Sequence, residues 1–330
     1  MLSSGIEKID EKVFRLSVPQ PNNLPTNVYL LVCKTPTIID AGHPSKMSVL
    51  SLAKSLNDVG YKISQIKNVI FTHPHIDHMG GAVHFPERDK IRYISLEGAI
   101  KGPYDFDSYI SKTREILISM QKKFPKAAQS EQNEDLDKFL DEYFLPTGKI
   151  TMDKTVVGGE LMHIDDFTLK VIHTPGHNPF HICLLDTDRK WLYSGDMIAD
   201  KGPSFISGMG YNINKYLKSL SEVETIAKEA PLKKILPGHG EIYCDPKEAI
   251  DFSRKMIEDI ERNLIADLSE KPATVFDIAR SMIKNIPKTP EILALSAAIV
   301  DTFIKLLIRE KKVKSIRRNG LKYFIAEKNV

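Results

Sequence analysis

Cysteine is scarce in this chain: among 330 residues there are three, Cys33, Cys183 and Cys244. Their odd number and wide spacing argue against a disulfide framework. Their apolar surroundings suit buried thiols in a reducing cytosol. Long apolar runs are missing too. No stretch approaches the roughly 20 residues that span a bilayer, so neither a membrane helix nor a membrane partner is expected. The first residues, Met1 to Lys8, show no basic segment followed by an apolar core. No signal peptide is therefore read, and a cytoplasmic location is expected. Net charge is only +3, which by itself implies no polyanionic partner. It is unevenly spread: residues 301–330 hold nine Lys/Arg against three Asp/Glu, or +6, which leaves −3 for everything before them.

The length exceeds that of a usual single domain, so two units are expected. The segment that organises the chain is Thr72-His73-Pro74-His75-Ile76-Asp77-His78-Met79-Gly80-Gly81. Four metal-type ligands, His73, His75, Asp77 and His78, fall within six consecutive positions. They follow Asn68-Val69-Ile70-Phe71, an apolar run that reads as a buried strand. In extended backbone, residues two apart point to the same side, so His73 and His75 can face one point, with Pro74 stiffening the link. Asp77 and His78 come where the chain should turn into a helix capped by Asp77, and they leave in another direction. One metal cannot easily collect all four; two metals side by side can. Gly80 and Gly81 are expected to give the backbone room close to them. Three further loops each follow a strand-like run: Thr174-Pro175-Gly176-His177, Ser194-Gly195-Asp196 and Pro237-Gly238-His239-Gly240.

Together these segments resemble the metallo-β-lactamase superfamily. Ile38-Ile39-Asp40-Ala41-Gly42 is similar to that family's first motif, and the resemblance covers roughly residues 10 to 245. It implies an α/β fold, an αββα sandwich with its ligands on loops at one sheet edge. It also implies that Asp40 fixes the ligand loop by hydrogen bonds and does not itself bind metal; a plain strand-end Asp capping the next turn is the other reading. The expected ligand set is His73, His75 and His177 on one metal and Asp77, His78 and His239 on the other. Asp196 lies between, one carboxylate oxygen for each ion at the ~3.5–4 Å of two-metal sites. Imidazole and carboxylate without thiolate suit two Zn²⁺, with Mn²⁺ or Fe²⁺ as alternatives. His173 and His181 flank the third motif. A His near His181 supports the site or touches substrate in lactamase-like RNA-cleaving proteins, and a simple strand histidine is the other reading of each.

Around this centre the elements follow from periodicity. Residues 12–18, 27–33 and 37–40 alternate as strands, and 45–60 is an amphipathic helix facing the core through Val49, Ala53, Leu56 and Val59. Residues 98–150 read as a helical insertion that folds over the metal mouth as a cap. Tyr104, Tyr109, Phe124 and Tyr143 are its candidate substrate contacts, and a dimer contact or plain surface decoration is the alternative use of that segment. His43 and His84 are assigned structural roles. Asp245-Pro246-Lys247-Glu248 opens a long helix, with Asp as cap and Pro first. Residues 246–330 then read as helix–helix–helix–hairpin, a winged-helix-like α+β domain following a catalytic domain of residues 1–245. The hairpin turns at Asn319-Gly320. Lys311, Lys312, Lys314, Arg317, Arg318 and Lys322 make the wing basic enough to meet phosphates, or simply to keep an edge from pairing.

The expected function is binuclear metal-dependent hydrolysis. A hydroxide bridging the metals would attack a small-molecule ester, thioester or lactone, as in glyoxalase II and its relatives, with Asp77 and Asp196 as the catalytic carboxylates. The alternative is a phosphodiesterase acting on RNA through the basic wing. A redox flavodiiron role is argued against by His75, where that family has Glu. A true β-lactamase is argued against by Asp196, where those enzymes usually carry Cys. The glutathione-binding residues of glyoxalase II find no clear match in residues 245–330.

Overall fold

The segment Thr26–Leu31 shows how the layers arise. Val28 and Leu30 point to one side and Tyr29 and Leu31 to the other, and all four are buried. A strand apolar on both faces must lie between two other layers. The computed structural model describes residues 5–21, 24–86, 92–96, 149–199, 211–283 and 290–327, with scattered positions from 104 to 143.

The first strands are β1 (Ile6–Lys8), β2 (Val13–Val18), β3 (Thr26–Leu31), β4 (Thr37–Ile39), β5 (Asn68–Ile70) and β6 (Arg92–Leu96). A short ribbon follows, β7 (Tyr104–Asp105) paired with β8 (Lys149–Ile150), and then β9 (Lys154–Val156). The first sheet has seven strands in the order β1-β2-β3-β4-β5-β6-β9, antiparallel up to β4 and parallel from β4 onward. The second sheet is built from β10 (Leu161–Ile164), β11 (Phe167–His173), β12 (Ile182–Asp186), β13 (Trp191–Gly195) and β14 (Lys234–Pro237), in that order, with only the β13–β14 pair parallel.

The two sheets face each other. Tyr29, Leu31, Ile39 and Ile70 of the first pack against Leu169, Val171, Leu184, Tyr193 and Leu236 of the second. On the outer side of the first sheet, Val28, Leu30, Ile38 and Val69 meet Leu52 and Leu56 of helix α1 (Lys46–Asp58). On the outer side of the second, Ile172, Cys183, Leu192 and Ile235 meet helix α3 (Ile213–Glu229); the short α2 (Ile76–Met79) belongs to the ligand loop. The order is helix, sheet, sheet, helix, as expected. The buried stripe of α1 is rotated from the expected one: Ser48, Leu52, Ser55 and Leu56 lie inward, while Val49, Ala53 and Val59 are only partly covered. Ser48 is drawn in because its hydroxyl accepts the His43 N–H at 3.0 Å.

The C-terminal elements are α4 (Pro246–Glu270), α5 (Val275–Met282), α6 (Pro290–Arg309) and the hairpin β15 (Val313–Arg318) with β16 (Leu321–Ala326). Asp245 caps α4 by accepting from the N–H groups of Lys247 and Glu248. Asn319 and Gly320 both take positive φ, 49° and 78°, as a tight hairpin turn demands. These helices share one apolar cluster with the outer face of the second sheet, through Ile257, Phe276, Phe303 and Phe324, and Ala294 of α6 reaches the cluster under the first sheet. Among the described residues no helix is long and apolar enough to cross a membrane. The thiols differ from expectation: Cys183 is buried, Cys33 half-buried and Cys244 exposed, all free. Cys183 lies on an inner strand, which drives its thiol up to about 12, whereas Cys244 sits in the loop before α4.

Arg189 ties the sheets together at the end away from the ligand loops. Its Nε donates to Asp10 at 2.7 Å, its Nη1 to Asp186 at 3.1 Å, and its guanidinium lies 4.5 Å from the Phe167 ring centroid. Burial tends to raise the Asp10 carboxyl, but the bond and charge of Arg189 outweigh this and hold it below its usual value. A depressed carboxyl adds stability above its unfolded pKa of ~3.9 and loses it as pH falls through the folded value. Asp10→Asn should therefore cost about 1 kcal/mol at neutral pH, with the gap to wild type closing below pH ~4; urea unfolding at several pH values measures it.

Candidate metal centre

Every segment carrying a candidate ligand leaves a strand at the same edge of the sandwich. The His73–His78 loop follows β5, His177 follows β11, Asp196 follows β13 and His239 follows β14. β5, β13 and β14 are parallel members of their sheets, so these ligands lie beyond carboxyl ends, where α/β sheets form their clefts. The His239 loop is pinned by the first sheet. The Asn27 side chain donates to the carbonyls of Pro237 and Gly240, and Tyr29 Oη donates to Pro237 at 2.7 Å.

The seven expected residues come together in two groups. His73, His75, His177 and Asp196 form one, and Asp77, His78 and His239 the other, all buried. In the first group His75 Nδ1 lies 2.9 Å from both His73 Nε2 and His177 Nε2. In the second, His239 Nε2 lies 3.3 Å from His78 Nε2 and 3.3 Å from Asp77 Oδ2. Asp196 sits between them: Oδ2 is 3.4 Å from His177 Nε2, and Oδ1 is 3.2 Å from His78 Nε2. Asp77 is not the cap of the following helix. His75 occupies the cap position, and Asp77 lies in the first turn of α2, which turns its carboxylate toward His239.

The outer nitrogens of three rings are already engaged. His78 Nδ1 donates to Asp40 Oδ2 at 2.8 Å, and His239 Nδ1 donates to the Pro25 carbonyl at 2.8 Å. Thr72 Oγ1 gives its proton to Asp40 at 2.9 Å and accepts from His73 Nδ1 at 3.0 Å. Each of these three rings therefore turns its Nε2 inward, where a cation can take the place of a proton. Lone pairs of imidazoles and carboxylates that converge this closely repel one another unless a cation sits among them. The residues present fit divalent ions. Charge agrees with this. Burial keeps His73 and His75 neutral, well below the ordinary histidine value. Burial alone would raise Asp77 and Asp196, but the positive charge that these carboxylates in turn favour on His78 and His239 outweighs it and holds both carboxyls low, a charge that a bound cation would replace.

Asp40 takes a positive φ of 61° and accepts the Thr72 N–H at 2.8 Å, so it joins the strand end, the ligand loop and His78. His181 lies behind the first group, its Nε2 accepting the Asp196 N–H at 3.0 Å, and it orients the Asp196 backbone. His173 is not at the site: it is exposed and donates to the Pro179 carbonyl. His43 is buried and structural, and His84 is exposed. Of the aromatic candidates in 98–150, Tyr109 and Phe124 lie outside the described residues and Tyr104 is described by its backbone; Tyr143 is buried. The cap expected of that insertion falls largely outside the described residues. Three residues at the site had no role from sequence: Thr72, Gln20, whose amide donates to Asp77, and Asn178, whose amide lies 3.2 Å from His75 Nε2. Only Thr72 carried a signal, its place directly before His73.

The sequence pattern of the metallo-beta-lactamase superfamily matches residues 21–239, and the chain belongs to that superfamily. A probable metallo-hydrolase, YqjP of Bacillus subtilis, is 25% identical over 336 residues, covering 95% of this chain and 98% of that one. The human acyl-coenzyme A thioesterase MBLAC2 is 29% identical over 171 residues, 52% of this chain and 54% of that protein. The crystal structure of a beta-lactamase domain protein from Burkholderia ambifaria shares the fold, with TM-score 0.78 and 19% identity over 99% of this chain and 96% of that one.

Gly80 and Gly81 prove to serve packing. A Cβ on Gly81 would lie 2.2 Å from the Ala41 carbonyl and one on Gly80 would meet Pro44, so they admit the loop after β4. The glycine that keeps space at the donors is Gly238, where a Cβ would stand 2.8 Å from both Asp196 Oδ1 and His78 Cε1. Gly238→Ala should weaken metal retention by about 10–100-fold with the circular dichroism spectrum unchanged, as elemental analysis after dialysis against a chelator would show.

Proposed function

We propose that this chain is a zinc-dependent hydrolase with a binuclear centre, acting on acyl thioesters or related small esters and lactones. One observation carries the reading: the two oxygens of Asp196 face different donor groups, Oδ2 toward His177 and Oδ1 toward His78. A carboxylate so placed is suited to span two cations. His73, His75 and His177 would hold one ion, and Asp77, His78 and His239 the other. When bound, the two cations would supply a water that deprotonates near neutral pH and would polarise the acyl carbonyl. An imidazole and carboxylate set without thiolate favours zinc for this task.

The chain's own residues do the rest. Asp40 and Thr72 hold His73 and His78 in one tautomer and one orientation, so that the donors need not reorganise on loading. Asp77, whose Oδ2 faces His239 and His78, is the carboxylate we assign to orient the water and to return a proton to the leaving thiol. Thioesters are favoured by the human relative that carries the name acyl-coenzyme A thioesterase. The wing gives RNA less support: Lys312 is paired with Glu261 and Glu310, and Lys314 with Glu327. Residues 246–330 we take as a winged-helix-like unit that braces the outer face of the second sheet.

Purified protein should carry two zinc equivalents per chain by elemental analysis. Acyl-coenzyme A hydrolysis should fall to background after chelation and return with zinc, while single-stranded RNA and bis-p-nitrophenyl phosphate stay intact. Full turnover after chelation would remove the metal mechanism, and cleavage of RNA in preference to thioesters would replace the substrate class.

A further inference from the structure

Gln20 lies in the loop between β2 and β3 and is buried, 2% exposed. Its amide has three partners. Nε2 donates to the Leu24 carbonyl at 2.5 Å and to Asp77 Oδ2 at 3.3 Å, and Oε1 accepts from Tyr143 Oη at 3.1 Å. The chemistry of those partners sets the orientation. A carbonyl and an ionised carboxylate can only accept, so the NH₂ must face both of them. The Tyr143 hydroxyl must then be the donor to Oε1. Flipping the amide would set Oε1 against two acceptors, the Leu24 carbonyl and the Asp77 carboxylate. Asp77 Oδ2 is the oxygen that faces His239, so the amide bears on the side of Asp77 turned to the second donor group.

Tyr143 belongs to the 98–150 insertion, yet it is anchored to the loop after β4. Its carbonyl accepts from His43 Nε2 at 2.8 Å, its ring centroid lies 4.9 Å from that of His43, and His43 Nδ1 accepts the Ser45 N–H at 3.1 Å. Burial keeps His43 below the ordinary histidine value, which suits a ring that both donates and accepts. A continuous path of hydrogen bonds therefore runs from the loop after β4, through Tyr143 of the insertion and Gln20, to one carboxylate of the proposed centre.

We propose that Tyr143 and Gln20 are positioning residues for Asp77: Tyr143 sets the direction of the Gln20 amide, and the amide fixes the carboxylate that completes the site with His78 and His239. This rests on the binuclear reading above. It makes the insertion a working part of one of the two sites. Asp77 sits on the single-turn helix α2, which by itself restrains a carboxylate weakly. Removing such outer hydrogen bonds typically lowers metal affinity 10–100-fold.

The test uses the full chain with Tyr143→Phe, Gln20→Leu and the double variant. Each is stripped and titrated with Zn²⁺ against a competing chelator, and with Co²⁺ followed by visible absorption. Wild type should bind two equivalents. In each single variant the first should bind as in wild type, and the second should weaken by about tenfold or more with an altered Co²⁺ spectrum. The double variant should be no weaker than Gln20→Leu, because both changes act through one bond. Wild type that binds no metal would sink the binuclear reading, and this inference with it. Two unaltered equivalents in the variants would sink this inference alone. Additive losses spread over both equivalents, together with a lowered melting temperature, would also overturn it and mark the pair as ordinary packing. Should Tyr143→Phe fail to fold, Gln20→Leu reads the same bond from its other end.

Discussion

The structure depends on the placement of one carboxylate between two clusters of imidazoles. Asp196 leaves the end of β13, His177 the end of β11, His239 the end of β14 and the paired histidines the end of β5. Those strands belong to two different sheets, so the donors converge only because the sheets are packed face to face with their ligand-bearing edges aligned. The packing is apolar and non-directional, whereas the candidate ligand atoms of each group lie within 4.8 Å of one another. Directional contacts close that gap. Backbone pairing of Thr26 with His239, the Asn27 amide on two carbonyls and the Tyr29 hydroxyl lock the His239 loop of the second sheet to β3 of the first.

Burying five imidazoles and two carboxylates costs free energy unless their partners are placed. The fold meets this with an outer layer of acceptors. Asp40 accepts from His78 and from Thr72, Thr72 accepts from His73, and the Pro25 carbonyl accepts from His239. Asp40 does so in a left-handed backbone conformation that few residues other than Gly, Asn and Asp tolerate. Strain at that position is compatible with a role in holding a site. The same layer sets which nitrogen of His73, His78 and His239 faces inward, and that is a condition for those rings to bind a cation.

The parts added to the sandwich are bound into it. Helices α4, α5 and α6 and the C-terminal hairpin share one apolar cluster with the second sheet, and Ala294 of α6 lies in the cluster beneath the first. Tyr143 of the insertion is bonded both to His43 and to Gln20. Both additions reach the layers that carry the donors, so a change in either can be felt at the centre without touching it.

Much of this was legible in the chain. Strands such as Phe167–His173 and the buried run before His73 follow from alternation and apolar content, and α4 from its Asp-Pro start. The seven side chains that converge were marked by residue type and by their position directly after strands, because chemistry restricts which side chains can serve and the strand restricts where they point. Local rules failed where a tertiary contact competed with them. Ser48 turned inward in α1 to bind His43, Asp77 gave up a cap to face His239, and His173, one residue past an inward position, ended in solvent. Gln20 and Asn178 left no trace at all, and Tyr143, expected as a substrate contact, instead bonds Gln20 and His43. Gln20 is 57 positions from Asp77 and 123 from Tyr143, and a single amide in a loop has neither period nor spacing. Residue identity and short-range spacing decided what could bind and which donors share a strand end. Only the packed sheets and loops decided which carboxylate lies between which rings and what holds it there, because those bonds join points that backbone geometry does not relate until the layers have closed.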